Sequence, residues 1–579
     1  MIEVKRCGVQ FSMTSNELRG KFLNFFEKKG HKIVPSSSLI PTDPSVLFTT
    51  AGMQQFRSYY LGEESPFGLN VATCQKCFRT SDIEEVGNEK HLTFIEMLGN
   101  FSFGGYFKEE AIKFAYELLI SNFQLPISNL KVTVFGGDKE VSRDEESVKI
   151  WDKLGFSENK GNLSFVGREE NFWGPTGEEG PCGPTTEIYF KNLELWNLVF
   201  NEYYQDRKRS LAPLEQKGVD TGMGLERLAM VVQNKPSVYE TDLFEPIIKE
   251  IHEQKKYRGL TCVNLRSQRI IADHIKGAVF LISEGIFPSN VEQGYVLRRV
   301  LRRAIRYGKL LNLPRNFLIP LAQKVIEIYQ DEYREVKSKE TDILTVIQNE
   351  EEKFEKTLSQ GLKQFEKITK AGDISGIDAF HLFDTYGFPL ELTEELAKEK
   401  NITVDIKGFQ EAFEKHREIS RAGVKAKFGG IGKEATYEAT RLHTATHLLH
   451  SALREILGSH VQQMGSDITP QRLRFDFSHS QKMTEEEIKK VEDLVNQKIK
   501  EDLEVKREEM DYQEAIKAGA LAFFKEKYPE IVSVYSIDNF SKEICAGPHL
   551  RRTSELGIFK IIKEESCGAG IRRIRAILK

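Results

Sequence analysis

Two short segments far apart in the chain, His443-Thr-Ala-Thr-His447 and Cys545-Ala-Gly-Pro-His549, constrain the fold more than any other feature. One metal ion can join them only if the ~100 residues between them bring the chain back to a single point. Residues four apart on a helix share a face, so both imidazoles of the first segment can reach one ion, while Cys545 and His549 complete a four-ligand zinc shell. A competing reading is a plain core helix, because His450 continues the same face and Leu448, Leu449 and Leu453 look like core. Histidines on apolar faces are ordinarily hydrogen-bonded core residues. A thiol paired with an imidazole in the second segment, in a chain with only 7 Cys and 12 His, favours the metal. A zinc protease is excluded, since position 444 is Thr where His-Glu-x-x-His enzymes carry their general base.

A chain of 579 residues has room for roughly four domains, and 40% hydrophobic with 29% charged residues is ordinary for packed cores. The cysteines lack the dense spacing of a disulfide framework, and the N-terminus has no secretory apolar run, which points to a reduced, cytoplasmic protein. No run of about eighteen apolar residues suggests a membrane span. A net charge of -4 argues against a globally basic nucleic-acid binder and leaves room for local basic faces.

Three parts are expected. The first, residues 1–237, has a capping box at Thr14-Ser-Asn-Glu17 followed by Leu18, Phe22, Phe25 and Phe26 on one helical face. Residues 1–12 then form an appendage, with Met13 as an alternative start. Short β-rich runs such as Lys131–Phe135 between glycines predict an antiparallel sheet mixed with helices, hence an α+β fold. The second part, 238–437, is helical, with a charged stretch from Ala322 to Lys370, and ends in a glycine-bearing joint at Arg421–Tyr437. The third, 438–579, carries the metal segments, a strand at Arg472–Phe477 and a helix opened by Thr484-Glu-Glu-Glu487. No dinucleotide fingerprint or phosphate P-loop occurs.

In the first part, Thr73-Cys-Gln-Lys-Cys-Phe-Arg79, a loop over 80–89, His91-Leu-Thr-Phe94-Ile-Glu96 and Val219–Arg227 suit adenylation of a carboxylate by ATP. Negative charge builds on the phosphoryl oxygens, so a fixed guanidinium stabilises the transition state. Adenine takes an aromatic face and a cation. Gly222 and Gly224 let backbone approach a ligand, and Asp220 can pair with an ammonium group. Taken singly, each piece has a plainer reading: Gly-Met-Gly as a strand-to-helix turn, Phe94 as core, Arg227 as a surface helix residue.

The runs Phe48–Phe56, Phe94–Gly104, Gly180–Pro184 and Val219–Arg227 resemble the signatures of class II aminoacyl-tRNA synthetases, and within them the alanyl family, over nearly the whole chain from Met13. The resemblance implies a catalytic domain that joins alanine to tRNA(Ala) through an adenylate, using ATP with Mg²⁺. Arg79 would hold the α-phosphate, Phe94 and Arg227 would sandwich adenine, and Glu96 would belong to the ATP site. Asp220 would bind the L-alanine ammonium beside Gly222, with Trp173 and Val199 walling the side-chain pocket. The loop after Arg79 is shorter than in many bacterial members and lacks their Gly-Gly-Lys segment, which opens the question of what steadies the pyrophosphate.

The middle part resembles that family's tRNA-recognition domain. Arg299, Arg302, Arg303 and Arg306 fall on one helical face and can neutralise acceptor-stem phosphates, the alternative being a solvated charged face. Asn290 and Asp384 correspond to the pair that reads a G·U wobble pair in the minor groove. The third part is similar to the editing domain, with zinc between the two metal segments and Gln463 in its pocket. Editing has a physical motive, because excluding glycine or serine from a methyl-sized pocket is worth only about 1–3 kcal/mol. Two departures stand out. The family's β-barrel subdomain has almost no residues left for it before His443, and the Cys-Ala-Gly-Pro-His form is closer to the threonyl version, whereas Ser566–Arg573 is alanyl-like. The sequence ends where the family usually continues into a dimerising domain, so a monomer is expected. A synthetase-like tRNA-binding protein, or an editing hydrolase without ligase activity, is the alternative.

Overall fold

The computed structural model describes residues 13–43, 46–175, 177–255, 262–370, 372–416, 436–479, 481–522, 531–568 and 571–579. Residues 1–12 and all of the expected joint except Thr436 and Tyr437 fall outside these. The fold is α+β, and the chain divides into two compact units, Met1–Glu352 and Lys353–Lys579.

The first unit is built on nine strands: β1 Lys32–Ile33, β2 Asn70–Phe78, β3 Phe94–Phe103, β4 Leu130–Phe135, β5 Leu163–Val166, β6 Phe172–Trp173, β7 Gly180–Phe190, β8 Leu193–Gln205 and β9 Leu211–Gly224. They form one sheet in the order β1-β2-β3-β9-β8-β7-β4-β5, with β6 on β7. Pairing is antiparallel through the centre, with parallel β1–β2 and β4–β5 pairs at the two ends. Since strand side chains alternate, this sheet has a helix-covered back and a front that carries the ligand chemistry.

Helix α1, Ser15–Lys28, opens on the capping box: the Thr14 hydroxyl accepts from the Glu17 N–H and the Glu17 carboxylate accepts from the Thr14 N–H. Its buried face of Leu18, Phe22, Phe25 and Phe26 lies on the sheet back, with Phe22 and Phe26 packed on Trp196 of β8. Burying each such ring stabilises by roughly 1.5–3 kcal/mol. Helix α2, Leu225–Val232, follows β9 directly; α3, Cys262–Ser283, covers the back of β3, and α4, Glu292–Leu310, packs along α3. The charged stretch from residue 322 is helical, mostly in α5, Glu340–Thr369, and the division between the units falls inside that helix.

In the second unit, α6, Gly376–Tyr386, precedes α7, Tyr437–Leu457, which lies on a four-stranded antiparallel sheet ordered β10-β11-β16-β15. Its strands are β10 Gln463–Thr469, β11 Arg472–Ser478, β15 Phe559–Gly568 and β16 Ile571–Leu578. Between them come α8, Glu485–Lys500, with the Thr484–Glu487 capping box, and a three-stranded sheet of β12 Val505–Asp511, β13 Ile531–Ile537 and β14 Ser541–Ile544. Leu448, Leu449 and Leu453 of α7 are core against Phe475, Phe477 and Ile574. No helix among the described residues is long and apolar enough to cross a membrane.

Candidate active site and metal centre

Register places the front-face residues. On β9, Asp220, Gly222 and Gly224 share a face; Val199 of β8 sits opposite Asp220 and Asn197 opposite Gly222, while on the other side Phe101 of β3 pairs with Asp220 and Met97 with Gly224. A Cβ at Gly222 would stand 3.0 Å from the Met97 sulfur, so a larger residue there would push that flexible side chain aside. A cavity at one end of this face is lined by Arg79, Arg227, Ile95, Met97, Gly222 and Gly224, with Asp82 and Lys90 from the loop between β2 and β3. Arg79 follows β2 and donates from Nε to the Thr50 carbonyl at 3.3 Å. Arg227, in the first turn of α2, donates to the carboxylate and carbonyl of Glu194 at 2.9 and 3.0 Å. Two guanidiniums from opposite sides thus meet over a floor of glycine and aliphatic side chains.

Asp220 lies about 7 Å along the strand from Gly222, two residues on the same face. It is only 7% exposed, and its carboxylate has no hydrogen-bond or ion-pair partner among the described residues. Burial without compensation pushes its pKa up to about 7. A carboxylate left in that state is completed by a ligand cation. Trp173, on β6 against Gly183 of β7, is 39% exposed. Beside Asn197, the buried Glu187 accepts from Tyr189 and Asn197 at 2.6 and 2.8 Å, and burial raises it to about 7 as well.

Two residues expected at the nucleotide lie on the wrong side of β3. Phe94 is fully buried and stacks face to face on Phe280 of α3 at 3.9 Å, so it has no free face for adenine. Ile95, its neighbour, points into the cavity instead. Glu96 is likewise buried on the back, where Arg19 of α1 grips both its oxygens at 3.0 Å and the Tyr333 hydroxyl donates to it at 2.9 Å. Alternation decides both cases: from the front-facing Ile95 and Met97, positions 94 and 96 must face the helices. Glu226, which also lines the cavity, is tied from behind by the buried Lys276 ammonium at 2.6 Å.

The arginine stripe of α4 is real as a stripe and misassigned as a phosphate contact. Arg302, Arg303 and Arg306 are 6%, 4% and 3% exposed. Arg302 is ion-paired to the buried Glu350 at 2.6 Å, Arg303 donates to the Ile83 carbonyl at 2.8 Å and Arg299 pairs with Glu84. Buried guanidiniums need such partners, and these leave no surface for RNA backbone. Asn290 is exposed and takes a hydrogen bond from Arg298. Asp384, on α6 in the other unit, is half exposed with His416 4.0 Å away.

In the second unit, His443, His447, Cys545 and His549 converge, with one ligand atom of each within 4.8 Å of the others. The Cys545 sulfur is 3.5 Å from Nε2 of both His443 and His549. Edges of a tetrahedral zinc shell are roughly 3.3–3.8 Å, from metal–ligand bonds of about 2.0–2.3 Å. Two rings are also oriented from behind at Nδ1, His443 by the Pro548 carbonyl at 3.1 Å and His549 by the Thr444 hydroxyl at 3.2 Å, while Nδ1 of His447 lies 3.3 Å from the Glu543 carboxylate without a hydrogen bond. That leaves Nε2 of all three for an ion, the outer-shell arrangement of metal-binding histidines. Burial, reinforced by His447, lowers His443 to about 4, and burial raises the Cys545 thiol to about 11, a proton that a divalent ion displaces. The residues present fit a four-coordinate ion with soft and borderline donors. Gly547 belongs to the fit, because a Cβ there would meet the His443 ring at 2.3 Å. Gln463, at the start of β10, donates to the Ser466 hydroxyl at 3.1 Å.

Sequence reasoning missed Ile95 and Met97, which the period of two along β3 could have assigned, and Glu543, two residues before Cys545. Nothing local signals Asp273, His274 or Lys276, whose partners come from distant strands.

An antiparallel sheet with an arginine after one strand, a second arginine in the helix following another and a buried acid between them defines a class II aminoacyl-tRNA synthetase. Residues 17–469 match the family described as tRNA synthetases class II (A), and 532–575 match the threonyl and alanyl tRNA synthetase second additional domain. Within that class the chain belongs to the alanine–tRNA ligase family. It is 50% identical to the alanine–tRNA ligase of Borreliella afzelii over 98% of this chain and 100% of the relative, and 47% identical to that of Treponema pallidum over 98% of each. The Thermotoga maritima alanine–tRNA ligase is 40% identical over 98% of this chain and 80% of its own length.

Proposed function

We propose that the front face of the nine-stranded sheet activates alanine with ATP and passes the alanyl group to the terminal ribose of tRNA(Ala). Asp220 carries this reading: a buried carboxylate without a protein partner is matched by the ammonium of an amino acid, and Val199 beside it suits a methyl side chain. Arg79 takes up charge growing at the α-phosphorus, and Arg227 covers adenine against the floor made by Ile95 and Gly224. Mg²⁺ bound with ATP would supply charge neutralisation for the pyrophosphate. Trp173 closes the amino-acid side of the pocket.

The His443–His447–Cys545–His549 centre would hold zinc with all four positions filled, so the ion would supply positive charge and rigidity beside a hydrolytic site for Ser-tRNA(Ala) and Gly-tRNA(Ala), with Gln463 contacting the mischarged residue. Asn290 in the first unit and Asp384 in the second are each solvent-accessible, as a group that meets RNA must be. The three-part division at 237 and 437 follows these activities. Buried unpaired Cys74 and Cys77 and the demand for ATP and tRNA suit the cytoplasm.

Alanine-dependent ATP/pyrophosphate exchange tests the synthetic site. It is expected in the intact protein and to fall at least ~100-fold in Asp220→Ala or Arg79→Ala; full activity in either variant removes that residue's role. Deacylation of Ser-tRNA(Ala), lost in Cys545→Ala, tests the second site.

A further inference from the structure

The loop over residues 80–92 carries Asp82 and Lys90 to the cavity, and a buried chain of polar groups holds it from the rear. Arg303 of α4 donates from one nitrogen to the Ile83 carbonyl at 2.8 Å, and the same nitrogen lies 2.9 Å from His274 Nε2. A guanidinium has hydrogens to give and no lone pair to receive, so Nε2 of His274 is the acceptor and its proton sits on Nδ1. Nδ1 then donates to Asp273 at 2.9 Å. Asp273 in turn accepts from both the N–H and the hydroxyl of Thr93, at 2.8 and 2.7 Å. Thr93 is the last residue before β3, and its carbonyl receives the N–H of Arg79 at 2.8 Å. Both ends of the loop and the backbone of Arg79 are therefore tied to one fully buried relay that touches neither substrate pocket nor solvent.

We propose that Arg303, His274 and Asp273 are positioning residues for adenylation, fixing the loop between β2 and β3 so that Arg79 and the cations behind ATP stand where phosphoryl charge develops. This extends the ligase reading and relies on it for the activity measurement. It also gives the α4 arginine face a task in place of phosphate contact. The amino-acid pocket hangs on β8 and β9, whereas the relay bonds to Ile83 and Thr93 at the two ends of the loop, so the two substrates respond differently when the relay is cut.

The test compares His274→Leu, which removes both hydrogen bonds, with His274→Gln, whose side-chain amide can accept from Arg303 and donate to Asp273. In the substrate-free full chain, amide hydrogen exchange at 80–92 is expected to speed up about tenfold or more in His274→Leu, while β8 and β9 are unchanged. In alanine-dependent exchange the same variant is expected to lose about 10- to 100-fold in kcat/KM for ATP, with KM for alanine within about twofold. His274→Gln recovers most of both, and Ser-tRNA(Ala) deacylation is untouched in either variant. Should His274→Leu not fold, Arg303→Met, whose side chain donates to neither Ile83 nor His274, is read the same way. Unaltered loop exchange in the cut variant, or equal losses for ATP and alanine with no rescue by Gln, overturns the proposal. If the unmodified protein itself shows no alanine-dependent exchange, the ligase reading fails, and loop protection still decides the relay.

Discussion

Asp220→Asn is expected to inactivate the synthetic site and stabilise the first unit. The unfolded chain titrates this group at 3.8, and the folded one at about 7 because the pocket strips the carboxylate of water. That rise of about three pH units, at 1.36 kcal/mol each, means that above pH 7 the ionised side chain costs the fold ~4 kcal/mol. An asparagine amide in the same place needs its own partners, which reduces the net gain to about 1–3 kcal/mol. The sign follows from the raised pKa: the folded state holds the proton more tightly, so wild-type stability from this group declines as pH climbs from about 4 to 7 and is level beyond. Asparagine does not titrate, so the difference between variant and wild type is smallest near pH 4 and full by pH 8. Urea unfolding followed by tryptophan fluorescence reads the relevant unit alone, because all 3 tryptophans, Trp151, Trp173 and Trp196, lie in it. A difference independent of pH, or an Asn variant weaker at both ends of the range, refutes the picture of an uncompensated buried charge.

The same titration governs activity. The kcat/KM for alanine is expected to drop about tenfold per pH unit below pH ~7, as protonated Asp220 ceases to attract an ammonium, and a flat profile down to pH 5.5 contradicts this. Phe94→Leu is expected to cost about 1–2 kcal/mol of stability from the lost stack on Phe280 while leaving the ATP KM within about twofold; a tenfold rise restores an adenine-stacking role. Arg302→Ala leaves the buried Glu350 with only the more distant Arg298 at 3.7 Å and is expected to destabilise by about 2–3 kcal/mol without altering the salt dependence of tRNA binding, which a phosphate contact would reduce by about one in slope. Gly547→Ala is expected to displace His443 and bring zinc content well below one ion per chain; full occupancy in the variant shows that the close approach is not needed.

Where the sequence was legible, local rules and scarcity did the work. The Thr14–Glu17 and Thr484–Glu487 capping boxes are purely local, and both form. The cluster of His443, His447, Cys545 and His549 stood out because thiols and imidazoles are few, and the fold brings the four together. The failures share a cause in the third dimension. Helical spacing grouped the α4 arginines correctly and could not say whether that face meets water or the buried Glu350 and Ile83. In Phe94-Ile-Glu96, the parity of the strand was never fixed, and a one-position error exchanged the lining of the pocket for the packing behind it. His274 and Asp273 gave no signal, because their partners Thr93 and Arg303 lie on either side of them in sequence at long range.

Strand β3 presents Ile95 and Met97 to the cavity and the neighbouring even positions 94 and 96 to the helices behind, which bears on how this segment tolerates change. Adding or deleting a single residue between 94 and 103 would turn the Arg19–Glu96 ion pair outward and drive aliphatic side chains into the helices, so mutational drift in length is confined to pairs of residues or to the loop ahead of it. Point substitutions at 95 and 97, by contrast, reshape the cavity lining without disturbing the hydrophobic backing one position away. At the start of β3, the cavity lining and the packing behind it thus fall on separate registers, whereas Phe101 and Phe103 further along are core.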